Sequence, residues 1–238
     1  MRAALRSGAL PAAAGMVLIV LGLLVLLVET AAFDPGYYES EYTKNDTASY
    51  VGVSEETLDE ATGVLLDYLQ DRRDDLSLQV ETSAGQREYY NEREKLHMVD
   101  VKSLNLGAVT FMWIALAAGG TLLGASFAAA HEKWRVCRAC FFAVLGVLAA
   151  FFLIGAAAAA DFTSFWITFH KVFFTNDLWT FDPRSSLLIR MFEEQFFFDL
   201  VARILLWFLA ACFVMLAAAF WGWRRGRRKE PADAHTRH

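Results

Sequence analysis

The chain has few of the residues that punctuate or cross-link a soluble fold: 3 Cys, 4 Pro and 15 Gly in 238 residues. Three Cys is a small, odd number and implies no disulfide framework. So little Gly and Pro excludes low-complexity and collagen-like sequence. There is no nucleotide-binding glycine loop, no G-x-S-x-G elbow and no H-E-x-x-H helix. Charge is missing locally: Ala9 to Val28, Ser103 to Ala130, Ala139 to Ala160 and Ile204 to Trp223 contain no Asp, Glu, Lys, Arg or His for 20, 28, 22 and 20 positions. What fills the chain is apolar. Hydrophobic residues make up 56% and aromatic ones 14%, with 20 Phe, and the mean hydropathy is +0.32. Soluble domains run at roughly 45–50% apolar, and such an excess would leave large exposed patches on a soluble domain. This excludes a disordered chain and a nucleic-acid binder, and argues against a soluble enzyme.

A bilayer core about 30 Å thick needs ~20 apolar residues to span it as a helix, and lipid leaves the backbone no other partner than itself. The four uncharged stretches therefore predict an all-α membrane protein with four transmembrane helices. The first run is longer than the ~7–15 residues of a signal-peptide core. Val28-Glu29-Thr30-Ala31-Ala32 is a poor cleavage site, so an uncleaved anchor is expected. Lys and Arg in short flanks set orientation. Arg2 and Arg6, then Lys133, Arg135 and Arg138, then Arg224-Arg225-Gly226-Arg227-Arg228-Lys229 all fall on one side of a four-span topology. That side is expected to be cytoplasmic, with both termini there. Residues 33–102, with 17 acidic and 7 basic residues, fit an extracellular face. The organisation expected is 1–32 (N-terminus and first span), 33–102 (first cap piece), 103–130 (second span), 131–138 (cytoplasmic loop), 139–160 (third span), 161–203 (second cap piece), 204–223 (fourth span) and 224–238 (basic tail, which also meets anionic lipid).

Within the cap, Ser54-Glu55-Glu56 predicts a helix start, with an N-cap hydroxyl and acids at the positive dipole end. Leu58, Ala61, Leu65, Tyr68 and Leu69 form its apolar face. Leu76 to Glu81 alternates like a short strand, Ser83-Ala84-Gly85 reads as a turn, and Tyr89 to Leu106 reads as a helix running into the second span. Phe162, Phe165, Trp166, Phe169 and Phe173 make an aromatic stripe at helical spacing, interrupted by His170 and Lys171. The stripe fits an interfacial or re-entrant helix on the outer leaflet.

Two constellations carry candidate chemistry: His97-Met98-Val99-Asp100-Val101-Lys102 before the second span, and Phe169-His170-Lys171 through Asn176-Asp177-Leu178-Trp179 after the third. Ionisable groups at a hydrophobic boundary are costly, and two imidazoles can serve as base and acid at neutral pH. The alternative is a pair of interfacial histidines that reach for water. Cys137-x-x-Cys140 lacks the further ligands of a zinc site, with only His131 nearby, and reads as reduced structural thiols; no metal is expected. His235 and His238 sit in the polar tail and are given no specific role.

At these motifs the sequence resembles the bacterial lipoprotein intramolecular transacylase family. The resemblance rests on His97-Met98-x-Asp100-Val101-Lys102, on Phe169-His170-x-x-Phe173-Phe174-x-Asn176-Asp177-Leu178-Trp179, and on Leu187-Leu188-Ile189-x-Met191-Phe192-x-Glu194-x-Phe196-Phe197. It extends from the first span to the fourth. Two departures stand out: Glu193 where the family commonly has Pro, and Ser186 near a common Asp. The resemblance implies four membrane helices with an extracellular cap. The implied activity is conversion of diacylglyceryl lipoproteins to the lyso form by moving the sn-2 acyl chain to the amine of the N-terminal Cys. It implies His97 and His170 as the catalytic pair. Lys102, Asn176 or Trp179 are candidates for holding the oxyanion, and Asp100 or Asp177 for orienting a histidine; Glu194 completes the candidate set. No cofactor is expected, and the implied partners are a diacylglyceryl lipoprotein and the bilayer, not nucleic acid. Two other readings are open: a non-enzymatic envelope sensor or scaffold, and a membrane electron carrier with one haem held by His97 and His170.

Overall fold

The computed structural model describes residues 8–82 and 85–228. The described residues fold into nine helices and one two-stranded sheet: α1 (Ala9–Ala32), α2 (Pro35–Asn45), α3 (Thr47–Val51), α4 (Glu55–Leu69), β1 (Gln79–Thr82), β2 (Gly85–Glu88), α5 (Glu92–Ala129), α6 (Lys133–Ala160), α7 (Phe162–Phe173), α8 (Leu187–Met191) and α9 (Glu194–Arg228). Helices α1, α5, α6 and α9 are long and apolar enough to cross a membrane, so the chain is a multi-pass, mainly helical membrane protein. The flanking Arg2 and Arg6, most of the turn Ser83-Ala84-Gly85, and Lys229, His235 and His238 lie outside the described residues.

The chain divides into two compact units. The described residues of one are 8–27, 111–160 and 205–228, and it is built on the long apolar helices. Its interior holds two small clusters, Ala12 with Val136, Cys140 and Ala219, and Val20 with Val144, Phe208 and Cys212. Small residues let backbones touch where no water drives helices together. A Cβ on Gly15 would stand 2.8 Å from the carbonyl of Gly119, and one on Gly119 would stand 2.7 Å from that of Gly15. Cys137 and Cys140 are free thiols: Cys140 is buried in the first cluster, and the Cys137 sulfur faces Gly222.

The described residues of the other unit are 28–82, 85–110 and 161–204. Ser54 caps α4 by accepting from the Thr57 amide at 3.1 Å, and the buried face includes Leu58, Ala61, Leu65 and Tyr68. Two buried phenols here have carbonyl partners: Tyr37 donates to that of Phe196 at 2.8 Å and Tyr90 to that of Ala61 at 2.7 Å. The strand expected over Leu76 to Glu81 is shorter at its start and occupies Gln79–Thr82. Side-chain carboxylates take the preceding amides: Asp75 accepts from Ser77 at 2.9 Å and Glu88 from Leu78 at 2.9 Å. β1 pairs antiparallel with β2, Val80 opposite Arg87.

Helix α5 begins at Glu92, three residues later than expected from Tyr89. A reciprocal cap sets the start: the Glu94 amide donates to Asn91 Oδ1 at 3.0 Å and the Asn91 amide to Glu94 Oε2 at 2.6 Å. Tyr89 and Tyr90 are thereby left outside the helix, fully buried in an edge-to-face pair. With 38 residues α5 is about 57 Å long at 1.5 Å per residue, nearly twice a bilayer core. His97 lies on its first turns, six positions before the uncharged run.

Candidate active site

Two helices of the second unit supply the imidazoles. Asp161 caps α7 by accepting from the Ser164 amide at 2.9 Å, and the helix ends where Phe174 turns extended. His170, 7% exposed, is the buried residue of this otherwise accessible helix. His97 on α5 is 4% exposed. The two rings lie 6.2 Å apart between centroids, tilted by 32°. Phe174 and Phe181 stand edge-on to His97 at 5.0 and 5.6 Å, while Trp166 and Trp179 pack on His170 at 4.7 and 4.8 Å. Both histidines line a mostly apolar cavity of about 300 Å³, with Glu29 and Asn105 among its few polar wall residues.

The two rings differ in their partners. The Nδ1 of His170 is 2.9 Å from the carbonyl oxygen of Trp166. A carbonyl can only accept, so Nδ1 carries the proton and Nε2 keeps the lone pair. Burial lowers the pKa of His170 below the ordinary histidine value, opposed in part by that hydrogen bond. His97 Nδ1 is buried with no partner. Burial pushes its pKa down to about 4; a positive charge on His170 would lower it further, while Asp100 acts against the shift. Both rings are thus neutral at pH 7, and one presents a fixed lone pair.

The other candidates fall into two groups. Trp179 lines the cavity, but its indole N–H donates to the Asn176 carbonyl at 2.9 Å. Asn176 donates in turn to Asp100 Oδ2 at 2.8 Å and accepts the Leu178 amide at 3.0 Å. Asp100 makes no hydrogen bond to His97; it anchors the turn that holds Trp179 against His170. Lys102, Asp177 and Glu194 are not in the cavity wall. The Lys102 ammonium meets Asp71 at 2.7 Å and covers the Tyr68 ring at 4.5 Å. Asp177 is exposed beside Arg93 at 3.5 Å, and Glu194 is exposed at the start of α9.

Sequence reading did not single out Glu29, Glu94, Asn105 or Phe181. Glu94, one turn before His97, is fully buried. It accepts from the Ser186 hydroxyl and, at 3.1 Å, from the Leu188 amide, which ties α5 to the start of α8. Burial raises its pKa, and these donors act against the shift. Ser186, a departure noted above, is therefore a donor to a buried carboxylate. An Asp there would set two carboxylates against each other. The one sequence signal for Glu29 is that it is the sole ionisable residue of α1.

The family model described as lipoprotein intramolecular transacylase Lit matches residues 13–197. Among solved structures, the chain resembles the membrane-integral lipoprotein intramolecular transacylase Lit from Bacillus cereus, with TM-score 0.72 and 18% identity over 93% of this chain and 98% of that one. A structure of that protein with a histidine-to-arginine mutation gives 0.70 and 20%, covering 93% and 94% of the two chains. A further one with a histidine-to-alanine mutation gives the same score and identity, covering 93% and 96%. Comparison with curated proteins finds no significant match. The structural likeness establishes the shared fold, and with the family match over most of its length the chain belongs to the lipoprotein intramolecular transacylase family, Lit, as a membrane transferase of lipoprotein modification.

Proposed function

We propose that this protein moves an acyl chain within one lipoprotein molecule, from the sn-2 oxygen of the diacylglyceryl group to the amine of the N-terminal Cys, with His97 and His170 as the catalytic pair. The observation that carries this reading is a pair of neutral imidazoles in one apolar cavity wall, one with its tautomer held and the other with an unpartnered ring nitrogen. Nucleophile and ester belong to the same substrate, so holding them in attack geometry can lower the barrier by ~7–11 kcal/mol at best. The amine nitrogen attacks the acyl carbon while its proton passes to His170 Nε2. The neutral His97 ring hydrogen-bonds to the oxygen on which charge develops. The acyl C–O bond then breaks, and His170 returns the proton to the glyceryl oxygen. One amide and one free hydroxyl result, and no metal, nucleotide or second lipid donor enters the balance.

The basic flanks support placing both termini in the cytoplasm and the cavity at the outer membrane face, where acyl tails stay in lipid. Family membership favours this reading over the envelope scaffold and the haem carrier.

The test is the ratio of N-acyl-S-monoacylglyceryl to diacylglyceryl peptide, measured by mass spectrometry of a defined lipoprotein in cells without another copy of the enzyme. His170→Ala and His97→Ala should each lower the rate ~10²–10⁴-fold. The double variant should be little worse than the worse single, because groups acting as a unit are not additive. Substantial N-acylated product from either variant at normal expression would move the chemistry away from this pair.

A further inference from the structure

The cavity wall contains a third ionisable group that the proton transfers above do not use. Glu29 is the only ionisable residue in the 24 residues of α1, and it lines the same cavity as His97 and His170. An unpaired carboxylate beside apolar walls is costly, so such a residue at the end of an apolar helix calls for a partner. Four other polar groups of the wall already have a hydrogen-bond partner, and His97 Nδ1 has none. Tyr38 donates to the Ala32 carbonyl at 2.7 Å, Asn105 to that of Leu69 at 3.3 Å, Trp179 to that of Asn176 at 2.9 Å and His170 to that of Trp166 at 2.9 Å. The Glu29 carboxylate has no hydrogen bond or ion pair among the described residues. What would complete it is a cation carrying its own donors, small enough to enter beside two neutral imidazoles.

We infer that Glu29 is the receptor for the α-ammonium group of the lipoprotein substrate and so selects lipoproteins whose N-terminus is still unacylated. This rests on the acyl-transfer reading of the cavity. An α-amino group with a pKa of about 7.7–8.0 is mostly ammonium at neutral pH. It cannot attack an ester in that form, and it cannot leave water for an apolar cavity without a counter-charge. Glu29 answers both needs. Its carboxylate binds the ammonium and takes the first proton, leaving a neutral amine and a carboxylic acid. The amine then surrenders its second proton to His170 during attack, and Glu29 loses its proton to water once the site reopens. The product amide carries no charge, so the attraction that held the substrate is absent from the product. Selection and release thus come from one carboxylate.

The test separates binding from chemistry. Two peptides carry an N-terminal Cys with ether-linked dialkylglyceryl chains, which cannot be transferred; one has a free amine and the other is N-acetylated. Their affinities for the full-length protein are measured near pH 7 in wild type, Glu29→Gln and Glu29→Asp. Wild type should prefer the free amine by roughly tenfold or more, the scale of a hydrogen bond to a charged group. E29Q should lower that preference to within about twofold while leaving the N-acetyl peptide bound as in wild type, and E29D should retain part of it. An unchanged preference in E29Q, no preference in wild type, or an equal loss for both peptides would overturn the assignment. Because nothing is transferred, the result stands apart from the histidine assay: an E29-dependent preference alongside active histidine variants would defeat the catalytic pair and not the amine receptor.

Discussion

Burial keeps His97 and His170 uncharged, and acid should expose the cost. In an unfolded chain a histidine titrates near ~6.5, whereas burial pushes His97 down to about 4 in the fold. Between those values the unfolded chain binds a proton that the folded one refuses. Stability present above ~6.5 is therefore lost as pH falls toward 4. Glu94 works in the opposite sense: burial raises its pKa, so its contribution is lost as pH rises. The wild-type apparent melting temperature in detergent should fall by a few degrees from about pH 7 to about pH 5, and His97→Gln should fall less. Equal falls would show that His97 is not the group responsible. The same burial bears on the candidate set. Lys102 and Asp177 sit beside the histidines in sequence, yet their charges are matched by Asp71 and Arg93 outside the cavity. Spacing alone does not separate a wall residue from its neighbour one helical face away.

At the scale of elements, the helix packing in the first unit depends on two glycines. Gly15 of α1 and Gly119 of α5 meet backbone to backbone, with no room for a Cβ on either. Gly120, the next residue, has nothing within 4 Å of its Cβ position. Gly119→Leu should lower the apparent melting temperature by ~5 °C or more, since overpacking costs ~1–3 kcal/mol, whereas Gly120→Leu should leave it within about a degree. Thermal unfolding of both purified variants in detergent checks this, and equal effects would remove the close contact as a determinant. The elements themselves were largely legible. The uncharged runs mark α1, α5, α6 and α9, Ser54 marks α4, and the aromatic stripe marks α7. Misplaced ends have local causes. Asn91 and Glu94 cap each other and delay α5, and the carboxylates of Asp75 and Glu88 take amides expected in the strand.

For the whole molecule, the placement of basic flanks predicts a sidedness that accessibility labelling can read. In a background with Cys137, Cys140 and Cys212 replaced by Ser, Ser77→Cys should react with an impermeant thiol reagent in intact cells. His131→Cys, exposed in the short connection between α5 and α6, should react only after permeabilisation. The reverse pattern would place the cavity on the cytoplasmic side and remove a surface lipoprotein from its reach.

The amino-acid sequence by itself determined that this chain crosses a membrane and how many times, because a run of ~20 uncharged residues has one stable solution in lipid. It also carried the histidine motifs by which the family is recognised. The tertiary structure alone decided which polar groups share the cavity. His97 and His170 lie 73 positions apart and come together with Glu29, 68 positions from the first and 141 from the second. It also decided that Asp100 reaches Asn176 and not His97, and that Ser186 satisfies a buried Glu94. The reason is physical: charge patterns that report lipid contact are local in sequence, whereas the burial and hydrogen bonds that set a proton's position depend on segments that meet only in the fold.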